Sequence, residues 1–250
     1  MKQNLIISLI LLSGVLVACS GEKNLNTKTD VIQTNKGKTG VALEIRFLKG
    51  KYHNHPTFAF WVEDLEGNYI ETLYVTQYLG KGIYGHGSLG DGKWDSKPGP
   101  AERPSALPYW LHKQDLTPGN EQNLPTSKNP VPDAITGATP MGDFVLETLI
   151  DKPVPERFRL MMEINQTWDW NEYWNNNKFP GDFDYAVSCQ PALVYSVVID
   201  KNQVGKEFYL NPIGHSHESG KTGELFTDLS TITTAKDIVN KVSAKIVSVP

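Results

Sequence analysis

Cysteine is scarce in this chain, and its scarcity removes several classes of protein at once. The 250 residues contain two cysteines, Cys19 and Cys189, so no Cys-x-x-Cys metal or redox motif exists. The motifs His-Glu-x-x-His and Gly-x-Ser-x-Gly are also missing, which leaves a zinc hydrolase or a serine hydrolase without support. The formal net charge of −4 argues against binding to nucleic acid and against adhesion to anionic lipid.

Long apolar runs are scarce too, and the one at the N-terminus is short. It covers residues 5–12, well below the ~20 residues that a membrane-spanning helix needs. Lys2 precedes this run, and Leu16-Val17-Ala18-Cys19 follows it. The segment 1–19 therefore resembles a bacterial lipoprotein signal peptide with its lipobox cysteine. The resemblance implies that Cys19 is acylated and that the protein is anchored by lipid to a membrane of the cell envelope. It would lie on the extracytoplasmic side, in the periplasm or at the cell surface.

The rest of the chain divides into a polar stretch and one domain. Residues 20–40 are rich in Lys, Asn and Thr without apolar periodicity, which predicts a flexible tether. Residues 41–250 are long enough for a single sizeable domain. Two long segments, 77–140 and 167–190, interrupt its strand pattern, and their many aromatic residues favour ordered insertions over one region of the domain. With Cys19 acylated, Cys189 is expected to be a free, buried thiol.

Alternating apolar and polar residues predict a β-rich fold. Leu43, Ile45 and Phe47 alternate with charged residues, and a turn at 64–68 separates two further strand patterns. The predicted strands lie at 43–47, 58–62, 69–75, 144–150, 158–164, 192–199 and 207–210. About seven strands of this kind predict an all-β, immunoglobulin-like β-sandwich.

One C-terminal helix is predicted beside these strands. Ser230 or Thr231 can cap it, and apolar residues follow at helical spacing. These residues are Ala235, Ile238, Val239 and Val242.

The sharpest motif is the sequence DAITGATP at residues 133–140. It resembles the flavinylation motif of FMN-binding subunits in sodium-pumping NADH:quinone reductases, where a threonine carries FMN through a phosphoester bond. The resemblance implies that Thr139 is the acceptor and that an FAD:protein FMN transferase modifies it with Mg²⁺ and releases AMP. It also implies four recognition positions: Asp133, Thr136, Gly137 and Ala138. Ordinary turn chemistry before the strand at 144–150 is the alternative interpretation.

A second resemblance covers the whole folded part, roughly residues 41–242. The segments 103–110, 133–140, 190–195 and 214–234 are similar to the predicted periplasmic proteins grouped as domain of unknown function 2271. That family has no settled activity. Its members resemble one-domain β-sandwiches and can occur fused to FMN transferase domains.

Two histidine pairs have a spacing that a metal site can use. His215 and His217, with Glu218 nearby, and the pair His53 and His55 each place two imidazoles on one side of an extended segment. If the pairs meet, they could bind Zn²⁺ or Cu²⁺. Hydrogen-bonded histidines at strand ends are the alternative.

The aromatic residues of the two insertions leave three interpretations open. They are core packing, a stacking surface for an isoalloxazine ring or a sugar, and a docking surface for a protein. The residues are Trp94, Tyr109, Trp110, Trp168, Trp170, Tyr173 and Trp174. The carboxylate pair Asp182 and Asp184 suits glycoside hydrolysis by residue type, or consists of solvated loop charges.

Taken together, the sequence predicts a membrane-anchored electron-transfer carrier with covalent FMN on Thr139. Its partners would be the transferase and redox proteins, and it would not be an enzyme by itself. The alternative is a non-catalytic envelope lipoprotein that binds a glycan or a protein partner through its aromatic loops.

Overall fold

The computed structural model describes residues 29–114 and 123–250. Cys19 and the predicted signal segment lie outside them, as does the first part of the predicted tether. In the described residues the chain is mostly β, with short helices, so the all-β prediction is confirmed. No helix among these residues has the length and apolar character needed to cross a membrane.

The secondary-structure elements follow one another with few helices between strands. The helices are α1 (Gln77–Lys81), α2 (Pro108–Lys113) and α3 (Phe183–Ser188), with 3₁₀ turns at Asp133–Ile135 and Thr234–Asp237. The strands are β1 (Asp30–Gln33), β2 (Val41–Lys49), β3 (Thr57–Glu63), β4 (Tyr69–Thr76), β5 (Ile83–Tyr84), β6 (Ser88–Gly90), β7 (Lys93–Trp94), β8 (Gly99–Pro100), β9 (Thr136–Gly137), β10 (Phe144–Ile150), β11 (Arg157–Asn165), β12 (Leu193–Asp200), β13 (Phe208–His215) and β14 (Val239–Ser248). Each of the seven predicted strands therefore overlaps an observed strand, namely β2, β3, β4, β10, β11, β12 and β13, although β12 and β13 begin one residue later than predicted.

Ten of these strands form one continuous sheet that is nearly closed into a barrel. Their order is β1-β10-β2-β14-β13-β12-β11-β3-β4-β9, with parallel pairing only at the two ends. The two edges approach each other just after β1. There the Thr34 hydroxyl donates to the carbonyl of Leu73 at 2.9 Å, and the Asn35 N–H donates to the carbonyl of Ala134 at 3.1 Å.

The sheet is buried on both faces where β3 and β11 run side by side. Because side chains alternate across a strand, Phe58, Phe60 and Val62 point to one face of β3 while Ala59 and Trp61 point to the other. The first face joins an inner core, in which the rings of Phe47 and Phe144 stack at 4.8 Å. The second joins an outer core under α1 and α2, the insertion of residues 77–140. Each large side chain buried in this way contributes roughly 1.5–3 kcal/mol.

A buried carboxyl group attaches α2 to the sheet. Glu163 on β11 accepts the backbone N–H groups of Tyr109 at 3.2 Å and of Trp110 at 2.7 Å, in the first turn of α2. Burial raises the pKa of Glu163 to about 8. The outer core is therefore fixed to β11 by hydrogen bonds as well as by apolar contact.

Three expectations from the sequence are corrected. The predicted C-terminal helix is wrong, because Val239 begins strand β14 and pairs with Lys49 of β2. The predicted tether does not reach residue 40, because β1 pairs with β10 and Thr34 is buried. The single ten-stranded sheet replaces the two separate sheets of an immunoglobulin-like sandwich.

Candidate functional site

The DAITGATP motif lies at one edge of the sheet, where it changes from a 3₁₀ turn to a strand and then to a loop. Asp133 begins the turn, and Thr136 and Gly137 form β9, which pairs in parallel with Val75 and Thr76 of β4. Thr139 lies beyond this pairing, in the irregular segment before β10. The structure therefore places Thr139, the predicted acceptor, outside the regular sheet.

Gly137 is held against a buried tyrosine. A Cβ atom at this position would lie 3.0 Å from a ring carbon of Tyr74 and 3.1 Å from its hydroxyl oxygen. The same hydroxyl donates to the carbonyl of Ala138 at 3.0 Å. Glycine is favoured here because a side chain would press on the edge of the ring, and the bond to Ala138 fixes the peptide that precedes Thr139.

The start of the motif is fixed by helix α1. The Lys81 ammonium forms an ion pair with the Asp133 carboxylate and donates to the carbonyl of Val131 at 3.0 Å. Gly80 also allows close approach, since a Cβ there would lie 2.8 Å from the Thr136 side chain. The Asp133 side chain remains 91% exposed, so it stays available to a second protein.

The Thr139 side chain is half-buried and its hydroxyl is unengaged. Among the described residues no group forms a hydrogen bond with it, whereas Ala138 before it is exposed and Pro140 after it is buried. A threonine hydroxyl that has no partner inside the protein can interact with solvent or with another molecule.

His53 supports the segment from the other side. Its Nε2 lies 3.0 Å from the carbonyl of Pro140, and its Nδ1 is buried without a partner. Burial lowers the pKa of His53, and the positive charge of Lys49 lowers it further, against the opposing effect of the Pro140 carbonyl. The imidazole is therefore neutral at pH 7 with its proton on Nε2.

The histidines predicted as metal ligands are engaged separately. His215 is buried, with Nδ1 2.8 Å from the carbonyl of Ser216 and its ring stacked on Phe226 at 5.4 Å. His217 accepts the Ser219 N–H through Nδ1 at 3.1 Å. Within residues 29–114 and 123–250, no three His, Cys, Asp or Glu side chains are grouped to hold a metal ion. The structure thus gives the pair His215 and His217 no third ligand from His53 or His55.

The two insertions meet in an open cleft of about 1130 Å³. Phe183 forms part of its wall and packs its ring against Gly92, and the carboxylates of Asp182 and Asp184 lie on either side of Phe183 in sequence. Burial raises the pKa of Asp184, and the neighbouring charge of Asp182 adds to the effect. For Asp182 burial is outweighed by hydrogen bonds, first from the Tyr185 N–H, which lower its pKa. The sequence offered these two carboxylates, but nothing in it showed that residues 88–102 would face them.

The predicted aromatic cluster separates into buried and exposed members. Trp110 and Tyr109 belong to the outer core, and Trp174 is buried against His215. Trp168 and Trp170 are 55% and 54% exposed. Core packing therefore explains the first group and leaves the second without an internal role.

Cys189 is a free, buried thiol, as predicted. Burial, with a smaller effect of the nearby Asp169 carboxylate, raises the pKa of Cys189 to about 11. Such a thiol is protonated at pH 7 and is a poor nucleophile.

Comparisons of the chain with protein-family models, with curated proteins and with solved structures gave no match.

Proposed function

We propose that this protein is a lipid-anchored extracytoplasmic electron carrier with FMN esterified to Thr139. The observation that carries the proposal is the state of Thr139, a partly exposed residue whose hydroxyl makes no hydrogen bond to any described residue. A residue in a sheet ladder or in the core could not enter the cleft of a modifying enzyme. The lipobox at Cys19 supports an envelope location.

The attachment step balances with FAD as the donor. The Thr139 oxygen forms a bond to the FMN phosphorus of FAD, the diphosphate bond to AMP breaks, and AMP leaves. The hydroxyl proton passes to a base of the transferase or to solvent. The small residues Gly137 and Ala138 beside the acceptor leave room for the transferase to approach.

The remaining residues of the site orient the acceptor. Tyr74 holds the carbonyl of Ala138, and His53 lies in hydrogen-bond contact with the carbonyl of Pro140, so the peptide before Thr139 and the peptide after Pro140 are both held. Lys81 fixes Asp133 at the other end of the motif. Once attached, FMN supplies the exchange of electrons, and the protein supplies position and electrostatic environment.

The test is co-expression of the chain with an FAD:protein FMN transferase, read by intact mass and by in-gel fluorescence. We expect the wild-type chain to gain the mass of one FMN phosphoester and Thr139→Val to gain none. Thr227→Val is the matched control, because Thr227 is an exposed loop threonine outside the motif. Labelling that survives in Thr139→Val contradicts the proposal, as does an unlabelled wild type beside a labelled positive control.

A second candidate function rests on the cleft. Aromatic rings and carboxylates that line one cleft are the groups that bind sugar rings and sugar hydroxyls, and Phe183 is 52% exposed there. This favours a glycan-binding lipoprotein. Glycan-array binding that is lost in Phe183→Ala and retained in Thr139→Val, from a colourless protein, supports this candidate over the carrier.

A further inference from the structure

We propose that the end of the barrel that carries Thr139 faces the lipid bilayer, with Trp168 and Trp170 inserted into the lipid interface. The inference rests on the lipid anchor of the proposed function and does not require FMN. Its occupant is a bilayer of zwitterionic phospholipid, because the net charge of −4 disfavours an anionic surface.

The described part of the chain enters the fold at the end of the barrel that carries Thr139. Asp30, the first residue of β1, pairs with Phe144, and its N–H donates to the carbonyl of Asp143 at 3.4 Å. Asp143 lies four residues after Thr139. The start of β1 and the acceptor segment therefore share one end of the barrel.

The exposed tryptophans lie at the same end. The loop that holds Pro140 through His53 continues into Asn54, whose N–H donates to the side-chain oxygen of Gln166 at 2.7 Å. Trp168 follows two residues later. A series of direct contacts thus connects the entry of the chain, the acceptor segment and the tryptophan pair.

The length of chain beyond the described residues sets how far this end can lie from the membrane. Nine residues, 20–28, separate Cys19 from the first described residue. Even fully extended at ~3.3–3.6 Å per residue, that segment spans at most about 35 Å. The nine residues of β2 cover about 30 Å at ~3.3 Å per residue, so the opposite end of the barrel lies farther from the anchor by up to that distance.

The tryptophan pair has the character of an interfacial anchor. The two rings meet edge to face with centroids 6.2 Å apart, and more than half of each side chain is exposed. The backbone N–H of Trp168 donates to the carbonyl of Val187 at 3.0 Å, so the two tryptophans are carried on an ordered segment. Indole rings combine an apolar body with one N–H donor, which suits the headgroup region of a bilayer.

The positively charged residue Lys178 lies close in sequence to Trp168 and Trp170. The Lys178 ammonium is 3.2 Å from the centre of the Tyr173 ring, and Tyr173 is 50% exposed. A lysine beside exposed aromatic rings can pair with lipid phosphates while the rings contact the acyl boundary.

The test uses the full-length lipidated chain, expressed without the transferase and reconstituted in vesicles of phosphatidylcholine and phosphatidylethanolamine with brominated acyl chains. Bromine quenches the fluorescence of tryptophan at the interface. We expect quenching of the wild type, about half of it lost in Trp170→Phe, and nearly all of it lost when Trp168→Phe is added. Trp94→Phe, in the cleft, is the matched control and should leave the quenching unchanged. Circular dichroism checks the fold of each variant.

The outcomes separate this inference from the function on which it rests. A wild-type chain that fails to remain with the vesicles overturns the lipid anchor and this inference together. A chain that remains with the vesicles but is unquenched, or is quenched equally in the double variant, overturns this inference alone. In that case the tryptophans face solvent or a protein or glycan partner.

Discussion

His53 Nε2 lies 3.0 Å from the carbonyl oxygen of Pro140, across 87 positions of sequence. A carbonyl only accepts, so the ring nitrogen carries the proton and donates. The bond joins the turn before β3 to the residue that follows Thr139, the proposed acceptor. It fixes the acceptor segment from one side while Tyr74 fixes it from the other.

Replacing His53 by Ala should slow attachment of FMN to Thr139 by about tenfold and lower the free energy of unfolding. The loss of the hydrogen bond accounts for about 1 kcal/mol of that loss, and the cavity beside Phe47 adds to it. Attachment rates with purified transferase, and urea denaturation, measure the two effects. His55→Ala is the control, because His55 is exposed and bonds only to Asn54. Equal attachment rates in His53→Ala and wild type would show that the bond does not orient the acceptor.

A methyl group at Gly137 should disturb the acceptor segment directly. In Gly137→Ala the added Cβ would meet the Tyr74 ring at 3.0 Å, so the free energy of unfolding should fall by about 1–3 kcal/mol and FMN attachment should weaken strongly. Gly142→Ala in the same segment is the matched control, since a Cβ there meets nothing within 4 Å. If both variants accept FMN alike, close packing against Tyr74 has no part in presenting Thr139.

Asp133 is expected to act in recognition and not in stability. Its side chain is 91% exposed, so breaking its ion pair with Lys81 should change the free energy of unfolding by less than about 1 kcal/mol. Asp133→Asn should nonetheless reduce the rate of FMN attachment, whereas Lys81→Met, which keeps the carboxylate, should reduce it less. Thermal unfolding and attachment kinetics of the two variants provide the check. A larger effect on attachment from Lys81→Met would assign the role to the ion pair itself.

The stability of the domain should fall as pH rises through the range in which Glu163 loses its proton. Its pKa is raised from 4.5 to about 8 by burial, so the folded state holds a proton that the unfolded state releases. This contribution is fully present below pH 4.5 and is lost progressively toward pH 8. Glu163→Gln imitates the protonated carboxyl, so the wild type should lose stability relative to it between pH 5 and pH 8. If urea denaturation shows the same change in the free energy of unfolding for the wild type and for Glu163→Gln between pH 5 and pH 8, the raised pKa of Glu163 is contradicted.

Sequence patterns predicted those parts of the fold that depend on local alternation. The strands β3 and β4, with the turn between them, follow from apolar residues and from Asp64 and Gly67 at the turn. The prediction of a C-terminal helix was wrong because Ile238, Val239 and Val242 fit both a helical and an extended pattern. Pairing of β14 with β2 decides in favour of the strand, and the β-branched side chains fit that choice.

The candidate site shows the same division. The DAITGATP motif is local and could be read from sequence. The bond from His53 and the ring of Tyr74 under Gly137 depend on contacts between distant segments, and no local pattern signals them. The strand β1 was missed because its four residues lie at an edge and are mostly exposed, so they carry little apolar periodicity.

The most direct test of the account is peptide-level mass spectrometry of the chain after reaction with FAD and the transferase. We expect one modified peptide, with the FMN phosphoester on Thr139 and unmodified Thr136. A phosphoester on a different residue, or a fully reacted control substrate beside an unmodified Thr139 peptide, would contradict it.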